Sequence, residues 1–102
     1  MSSHQNLTAI IYDKKGRVLS IGKNSYTKTH PYMAELANKH NEPEKVFLHA
    51  EVDAIVKCRD LSSAHRILVT RVARNGSYAL ARPCKICMSA IEATPISKVE
   101  HT

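Results

Sequence analysis

The stretch LHAEVDAI, residues 48–55, begins the segment that decides how this sequence folds. From it onward, apolar residues recur at every third or fourth position, which is typical of the buried face of a helix: Ala50, Ala54, Ile55, Cys58 and Leu61. The predicted helix covers residues 49–61. His49 and Glu51 stand at its start, and because a first residue can lie half outside the helix, both side chains can converge on one place.

A second stretch, PCKICMSAIEAT at residues 83–94, predicts another helix, opened by Pro83 and ended before Pro95. Cys84 and Cys87 are three positions apart at its start, so both thiols lie on one face. The unpaired N–H groups and the dipole of a helix start favour thiolate over thiol, and thiolate is the form that binds a metal.

Zinc binding would explain why the two helix starts carry these residue types. If they face each other across a sheet edge, His49 meets Cys84 and Cys87, which is a ligand set that zinc prefers. Three protein ligands leave a fourth position for water, as a catalytic site requires. The Glu51 carboxylate beside that water could take its proton and pass it on.

Strand patterns flank these helices. LTAIIY and RVLSIG lie on either side of the turn DKKG, and HRILVTRVA is a nearly continuous apolar run suited to a covered strand. Asn75-Gly76 predicts a turn into a further hairpin arm. The remaining predicted elements are a hairpin at 7–22, a short helix at 31–40, and strands at 65–73 and 96–102. Strands joined through helices predict an α/β fold with a mixed sheet and helices packed on it.

The pair of motifs HAE and PCKIC resembles the H-x-E and P-C-x-x-C signature of the zinc-dependent cytidine and deoxycytidylate deaminase superfamily. The resemblance covers residues 7–102 and is closest to small phage-type deaminases in NSYTKTHP, LHAEVDAI and VEHT. It implies a cytidine-deaminase-like mixed sheet, in a version that is short at its C-terminal end. We expect one domain over residues 1–102.

The resemblance also implies a role for particular residues. It assigns Zn²⁺ to three ligands: His49, Cys84 and Cys87. It makes Glu51 the proton shuttle between water, the ring nitrogen and the departing ammonia. It places the backbone of Ala50 against the pyrimidine edge and Asn24 against the sugar or a neighbouring part of the substrate.

The basic composition points to a phosphate-bearing substrate. The formal net charge is +6 and the sequence pI is about 9.4. Lys28 and Arg82 lie in the two loops expected to flank the pocket, where either could contact a phosphate. We therefore expect a small pyrimidine nucleoside or nucleotide, with deoxycytidylate-type compounds favoured. Two departures leave the substrate class open: the long stretch between Glu51 and Pro83, and Arg82 where relatives carry Glu or Ser.

Two alternatives remain. A polynucleotide deaminase would need a groove with stacking aromatics, and the chain has only four tyrosines, one phenylalanine and no tryptophan. A zinc-stabilised binding module would use the cysteines structurally, with His65 or His101 closing the site.

The remaining expectations concern location and assembly. No apolar run approaches the roughly 18 residues of a membrane-spanning helix, and the N-terminal stretch lacks the pattern of a secretory signal. We expect a cytoplasmic protein, in the host cytoplasm if a phage encodes it, with no membrane partner. Because the last predicted strand lies at a sheet edge, we expect a homo-oligomer.

Overall fold

The computed structural model describes residues 6–41, 47–73 and 75–102. The described strands are β1 (Asn6–Tyr12), β2 (Val18–Lys23), β3 (Arg66–Val72), β4 (Tyr78–Ala79) and β5 (Lys98–His101). The described helices are α1 (Pro31–Lys39), α2 (Ala50–Lys57) and α3 (Lys85–Glu92). The strands form one mixed sheet with helices packed on it, which confirms the predicted α/β fold class. Among these residues, no helix combines the length and the apolar character that crossing a membrane requires.

The sheet has the strand order β2-β1-β3-β4, with β5 also paired to β3. β1 runs antiparallel to β2 and to β3, whereas β5 runs parallel to β3. β4 and β5 share one edge of β3, because β5 pairs with residues 66–69 and β4 pairs with Arg71 and Val72. A hairpin makes the antiparallel neighbour, and the crossover through α3 makes the parallel one.

Thr102 fills the junction between β4 and β5. Its backbone N–H donates to Val69 O at 3.0 Å, and its carbonyl accepts from Ala81 N at 2.7 Å. Its hydroxyl donates to Ala79 O at 2.6 Å and accepts from Arg71 N at 3.1 Å. These four hydrogen bonds fix the segment that leads from β4 into α3.

The core lies on one face of the sheet. Successive side chains of a strand point to opposite faces, and the residues that alternate onto this face are fully buried: Ala9 and Ile11 of β1, and Ile67 and Val69 of β3. Helices α1, α2 and α3 all contribute buried side chains to the same cluster. The described helices therefore all cover this one face.

The predicted turns form at the expected glycines. Gly16 has a φ of +83° and donates to Asp13 O at 3.1 Å, which closes the turn between β1 and β2. Gly76 has a φ of +86° and donates to Ala73 O at 2.9 Å between β3 and β4. Both φ values lie in the left-handed region, which glycine adopts without a steric cost.

Two predicted helix boundaries were wrong. The second helix ends at Lys57 rather than at residue 61, because Cys58 is extended and a 3₁₀ turn follows at Leu61–Ser63. Cys58 and Leu61 still pack against the core after the helix has ended. The third helix begins at Lys85 rather than at Pro83, because Cys84 is extended with a ψ of 171° and serves as the N-cap.

Candidate metal centre and its pocket

Three ligand atoms converge where the starts of α2 and α3 meet. His49 is the N-cap of α2, Cys84 is the N-cap of α3, and Cys87 lies in the first turn of α3. The His49 Nδ1 atom lies 3.1 Å from Cys87 Sγ and 3.5 Å from Cys84 Sγ. All three ligand atoms lie within 4.8 Å of one another. The predicted convergence of these three side chains is therefore present.

The cluster fits zinc in both chemistry and spacing. Tetrahedral zinc with ordinary bond lengths separates a nitrogen ligand from a sulfur ligand by about 3.6 Å, close to the distances found here. The His49 side chain makes no capping hydrogen bond to α2, so its Nδ1 serves the cluster instead. His65 is hydrogen-bonded to Ser97, and His101 is hydrogen-bonded to Thr102. Among the described residues, neither histidine belongs to the group of potential metal ligands formed by His49, Cys84 and Cys87. This arrangement favours three protein ligands over a closed structural site.

The two thiols have opposite tendencies to ionise. The hydrogen bond from Cys87 is the largest cause that lowers the pKa of Cys84, to about 3. The same hydrogen bond, together with burial, raises the pKa of Cys87 far above its ordinary value. One thiolate is thus prepared for a metal, and metal binding would displace the proton of the second thiol.

Glu51 is a buried carboxyl beside the ligands. It lies in the first turn of α2 and only 4% of it is exposed. Burial is the largest cause that raises the pKa of Glu51 above its ordinary value. A carboxyl whose pKa moves toward neutrality is suited to accept a proton and then release it.

A cavity of about 360 Å³ opens in front of the cluster. Six predicted site residues line it: Asn24, His49, Ala50, Glu51, Arg82 and Cys84. Five residues that the sequence did not single out also line it: Leu7, Ser25, Tyr26, Phe47 and Leu48. Of these, Tyr26 and Phe47 are 42% and 45% exposed, so their rings are accessible at the cavity. Tyr26 and Ser25 belong to KNSYTKTH, which by composition reads only as a polar loop.

Asn24 is held in place by the first strand. Its Oδ1 accepts from Leu7 N at 3.0 Å, and its backbone N–H donates to Leu7 O at 3.4 Å. Asn24 and Leu7 therefore form one stretch of the cavity wall.

Lys28 lies beside the cavity wall, because its backbone N–H donates to the hydroxyl of the lining residue Ser25 at 2.8 Å. Its side chain is exposed and is not among the described residues that line the cavity, while its carbonyl accepts from Leu48 N at 3.0 Å. Its role in phosphate binding stays a prediction.

Two close contacts dock α2 on β2 behind the site. Gly22 lies so close to the helix that a Cβ there would collide with Ala50 O and Ala54 N. Beside it, the Ser20 hydroxyl donates to Ala54 O at 2.7 Å. Because α2 carries His49 and Glu51 at its start, this contact sets where those side chains lie.

Asp53 makes a third connection between the same two elements. It is only 4% exposed, and its carboxylate accepts from Lys23 N at 2.9 Å. It also pairs with Lys57 Nζ at 2.8 Å. The sequence pattern did not identify Asp53, because a single acidic residue in a helix ordinarily predicts an exposed side chain in water.

The comparisons with known proteins agree with this geometry. The sequence matches the family described as the cytidine and deoxycytidylate deaminase zinc-binding region over residues 1–101. The chain belongs to this family, which confirms the resemblance seen in HAE and PCKIC. Family and cluster together identify zinc as the metal that the three ligands fit.

Guanine deaminase from Bacillus subtilis is a similar solved structure. The two chains have a TM-score of 0.55 and 20% sequence identity over 94% of this chain and 48% of the other. At this identity the likeness shows the fold, and this chain spans about half the length of that one. No curated protein matches the sequence.

Proposed function

We propose that this chain is a zinc-dependent deaminase that removes the amino group from a cytosine-type base in a free nucleotide. Deoxycytidylate-type compounds are the preferred substrates. The observation that carries the proposal is the buried Glu51 carboxyl, which lines the same cavity as His49 and Cys84. Membership of a deaminase zinc-binding family supports the same chemistry.

Each residue has a distinct task in this reaction. His49, Cys84 and Cys87 would hold the zinc ion, which would supply Lewis acidity to a water in the site. Glu51 accepts the two protons of the attacking water in turn, and delivers one to the ring nitrogen and the other to the amino group that departs as ammonia. The water oxygen becomes the carbonyl oxygen of the uracil-type product as the carbon–nitrogen bond breaks.

Cavity size and charge support a mononucleotide. A volume of about 360 Å³ is near the lower end of the range for small-molecule sites, roughly 300–1,000 Å³. Among the described lining residues, Arg82 is the one Lys or Arg. Arg82 is therefore the leading phosphate contact, ahead of Lys28.

A polynucleotide substrate is the second candidate. Tyr26 and Phe47 both line the cavity and are about half exposed, at 42% and 45%, so a neighbouring base could stack on either ring. A strand would also contact many of the scattered cations, which makes its binding strongly dependent on salt.

One panel assay separates these candidates. The zinc-loaded chain is offered deoxycytidine, its mono- and triphosphates, cytidine, cytosine and a short cytosine-containing single strand, at low and moderate salt. We expect the monophosphate to be preferred over the nucleoside by roughly ten- to a hundredfold, the effect of one charge-assisted hydrogen bond. Preference for the strand with a steep salt slope would support the polynucleotide candidate. No turnover of any cytosine compound would overturn the proposed function.

A further inference from the structure

A second cavity opens at the end of the sheet opposite the metal centre. Its volume is about 660 Å³, within the range for small-molecule sites, roughly 300–1,000 Å³. Its described lining comes from three segments, residues 13–17, 62–65 and 95–97, and we call it the basal cavity. Leu7 lines the cavity at the metal centre and Asp13 lines the basal one. Six steps of nearly extended chain separate these two residues, so the two cavities lie about 20 Å apart.

The walls of the basal cavity are held together by hydrogen bonds between its three segments. His65 N donates to Tyr12 O at 2.8 Å, which fixes the entry of β3 beside the β1–β2 turn. His65 O accepts from Ser97 N at 3.0 Å and from Lys98 N at 3.1 Å, which fixes the start of β5 beside the entry of β3. The side chains of His65 and Ser97 are also hydrogen-bonded, Nδ1 to Oγ at 3.1 Å. Contacts within the chain itself therefore shape this cavity.

Cations from the β1–β2 turn dominate the charge of the lining. Lys14, Lys15 and Arg17 all line the basal cavity, and all three are exposed. In the described part of the chain, no hydrogen bond or ion pair occupies the ammonium group of Lys14 or Lys15. Both ammonium groups are therefore available to a ligand.

Two carboxylates lie at or near the basal cavity. Asp13 belongs to the lining, but its oxygens accept from Lys15 N, Arg17 N and Arg17 Nε, and the guanidinium neutralises its charge. Asp60 is not part of the described lining, although it accepts from the lining residue Ser62 at 3.0 Å. Its charge repels an anion from that side, which leaves the turn with the two lysines as the favoured side.

Neutral donors complete a set of groups that suits phosphate. When the Ser97 hydroxyl donates to Nδ1 of a neutral His65 ring, the imidazole proton lies on Nε2, where it can be donated to a ligand. Ammonium groups, a guanidinium and neutral N–H donors are the groups that bind phosphate oxygens in proteins. The basal cavity is larger than the one at the metal centre, so there is room for a polar group attached to the phosphate.

We propose that the basal cavity is a second binding site, which takes a small ligand that carries a phosphate group. Lys14 and Lys15 contact the phosphate oxygens. Arg17 holds the turn in place through Asp13, and its remaining N–H groups face the same anion. The proposal is independent of the reaction at the metal centre, so its test needs no turnover.

Amide NMR of the zinc-loaded chain tests this site. The chain is titrated with inorganic phosphate, ribose 5-phosphate and ribose at constant ionic strength. We expect saturating shifts at Lys15, Gly16 and Ser97 with both phosphates, with a dissociation constant of roughly 1 mM or below, and no shifts with ribose. Shifts at Asn24 and Ser25 report binding at the metal centre, and they should saturate at a different concentration.

A pair of double variants tests the two lysines. Lys14→Gln combined with Lys15→Gln should weaken phosphate binding at the basal cavity by about tenfold, the sum of two exposed charge pairs. Lys28→Gln combined with Lys39→Gln makes the same charge change at exposed positions outside both described linings. This control should change the affinity by less than about twofold, because salt screens distant charges.

Three results would overturn the proposal. Shifts that rise without saturation, or equal losses in the two double variants, would show only a general attraction of anions to a basic chain. Saturation at Asn24 and Ser25 alone would place all phosphate binding at the metal centre. Far tighter binding of a short single-stranded nucleic acid, with a steep salt slope, would assign the surface to a polynucleotide. If circular dichroism shows that the Lys14 and Lys15 variant is unfolded, the titration of the unsubstituted chain decides.

Discussion

The carboxylate of Asp53 accepts a hydrogen bond from the backbone N–H of Lys23 at 2.9 Å. This bond ties α2, two residues beyond Glu51, to the end of β2, one residue before Asn24. Glu51, the proposed proton shuttle, and the wall of the cavity at Asn24 are thus held to each other through a buried side chain that lies outside both the cavity lining and the ligand cluster.

We predict that Asp53→Ala weakens substrate binding and stability together. Losing the acceptor leaves the Lys23 N–H without its partner, which costs about 1–3 kcal/mol of unfolding free energy. KM should rise more than kcat falls, because the loss of this bond lets Asn24 shift while the three zinc ligands keep their positions. Zinc content should therefore remain at one per chain. Asp53→Asn keeps an oxygen that can accept from Lys23 N, so its KM should lie close to that of the unsubstituted chain. Lys57→Met removes only the exposed ion pair and serves as the control; an equal rise of KM in this variant would contradict the role given to the Lys23 bond.

Glu51→Gln keeps the volume of the side chain and removes its proton transfer. Single general acid–base steps are worth about 10²–10⁴-fold, and the proposed mechanism gives Glu51 more than one such step, so kcat should fall at least that far. Metal analysis should show that zinc is still bound. Glu92→Gln, at an exposed position at the end of α3, is the matched control. Near-normal turnover by Glu51→Gln would remove Glu51 from the mechanism.

Substitution of Arg82 by Gln should separate phosphate recognition from catalysis. Because Arg82 lines the cavity, its loss should lower kcat/KM for the monophosphate by roughly tenfold or more and leave the nucleoside almost unchanged. Lys28→Gln makes the same charge change outside the described cavity lining and should have little effect. If the Lys28 variant shows the larger loss, the phosphate lies on the other side of the cavity.

Gly22→Ala should be far more costly than Gly16→Ala. At Gly22 the added methyl meets the backbone of α2, and overpacking against a fixed backbone costs roughly 3 kcal/mol. At Gly16 no atom lies within 4 Å of the added methyl, so only the strain of a positive φ remains, about 1 kcal/mol. Urea unfolding measures both. If both variants lost the same free energy of unfolding, α2 would be able to move away from β2 and this prediction would be wrong. In that case zinc affinity should be unchanged in Gly22→Ala.

Asp13 should make the stability of the β1–β2 turn depend on pH. Its carboxylate accepts from Lys15 N and Arg17 N, both at 2.9 Å, and from Arg17 Nε at 2.8 Å. The backbone hydrogen bond from Arg17 is the largest cause that lowers the pKa of Asp13 below 3.8. Because its pKa is lower in the folded chain, the Asp13 carboxylate stabilises the fold at every pH above its pKa in the unfolded chain. This stabilisation disappears as the pH falls through its pKa in the folded chain.

Thermal melts of Asp13→Asn test this dependence. The variant should melt below the unsubstituted chain at neutral pH, and the gap should close as pH falls below about 4. Glu92→Gln corrects for the general effect of removing one carboxylate. A gap that stays constant down to acidic pH would show that the amide, rather than the charge, accounts for the loss.

Local patterns in the sequence predicted most of the fold and the centre of the site. HAE and PCKIC each place ligands at a helix start, where backbone geometry leaves few arrangements, so His49, Cys84 and Cys87 could be identified without coordinates. The end of α2 could not, because Cys58 and Leu61 continue the apolar spacing while packing on the core from outside the helix. Leu7, Tyr26 and Phe47 reach the cavity from distant parts of the chain, and no local pattern indicates such contacts. Asp53 was missed because its partner, a backbone N–H on another element, leaves no trace in the sequence.

The junction at Thr102 makes the β3–β4 hairpin and the C-terminal strand competitors for a single row of backbone partners. Any residue that the hairpin gains on β3 must be given up by β5, and the reverse also holds. Since the hairpin leads directly into Arg82 and Cys84, a change in its length would be transmitted to the cavity wall as a shift in register. Loop exchange intended to alter substrate choice should therefore conserve the pairing of Arg71 with Ala79 and vary only the turn beyond it. The number of β3 residues that the hairpin occupies therefore sets the position of the segment that carries Arg82 and Cys84.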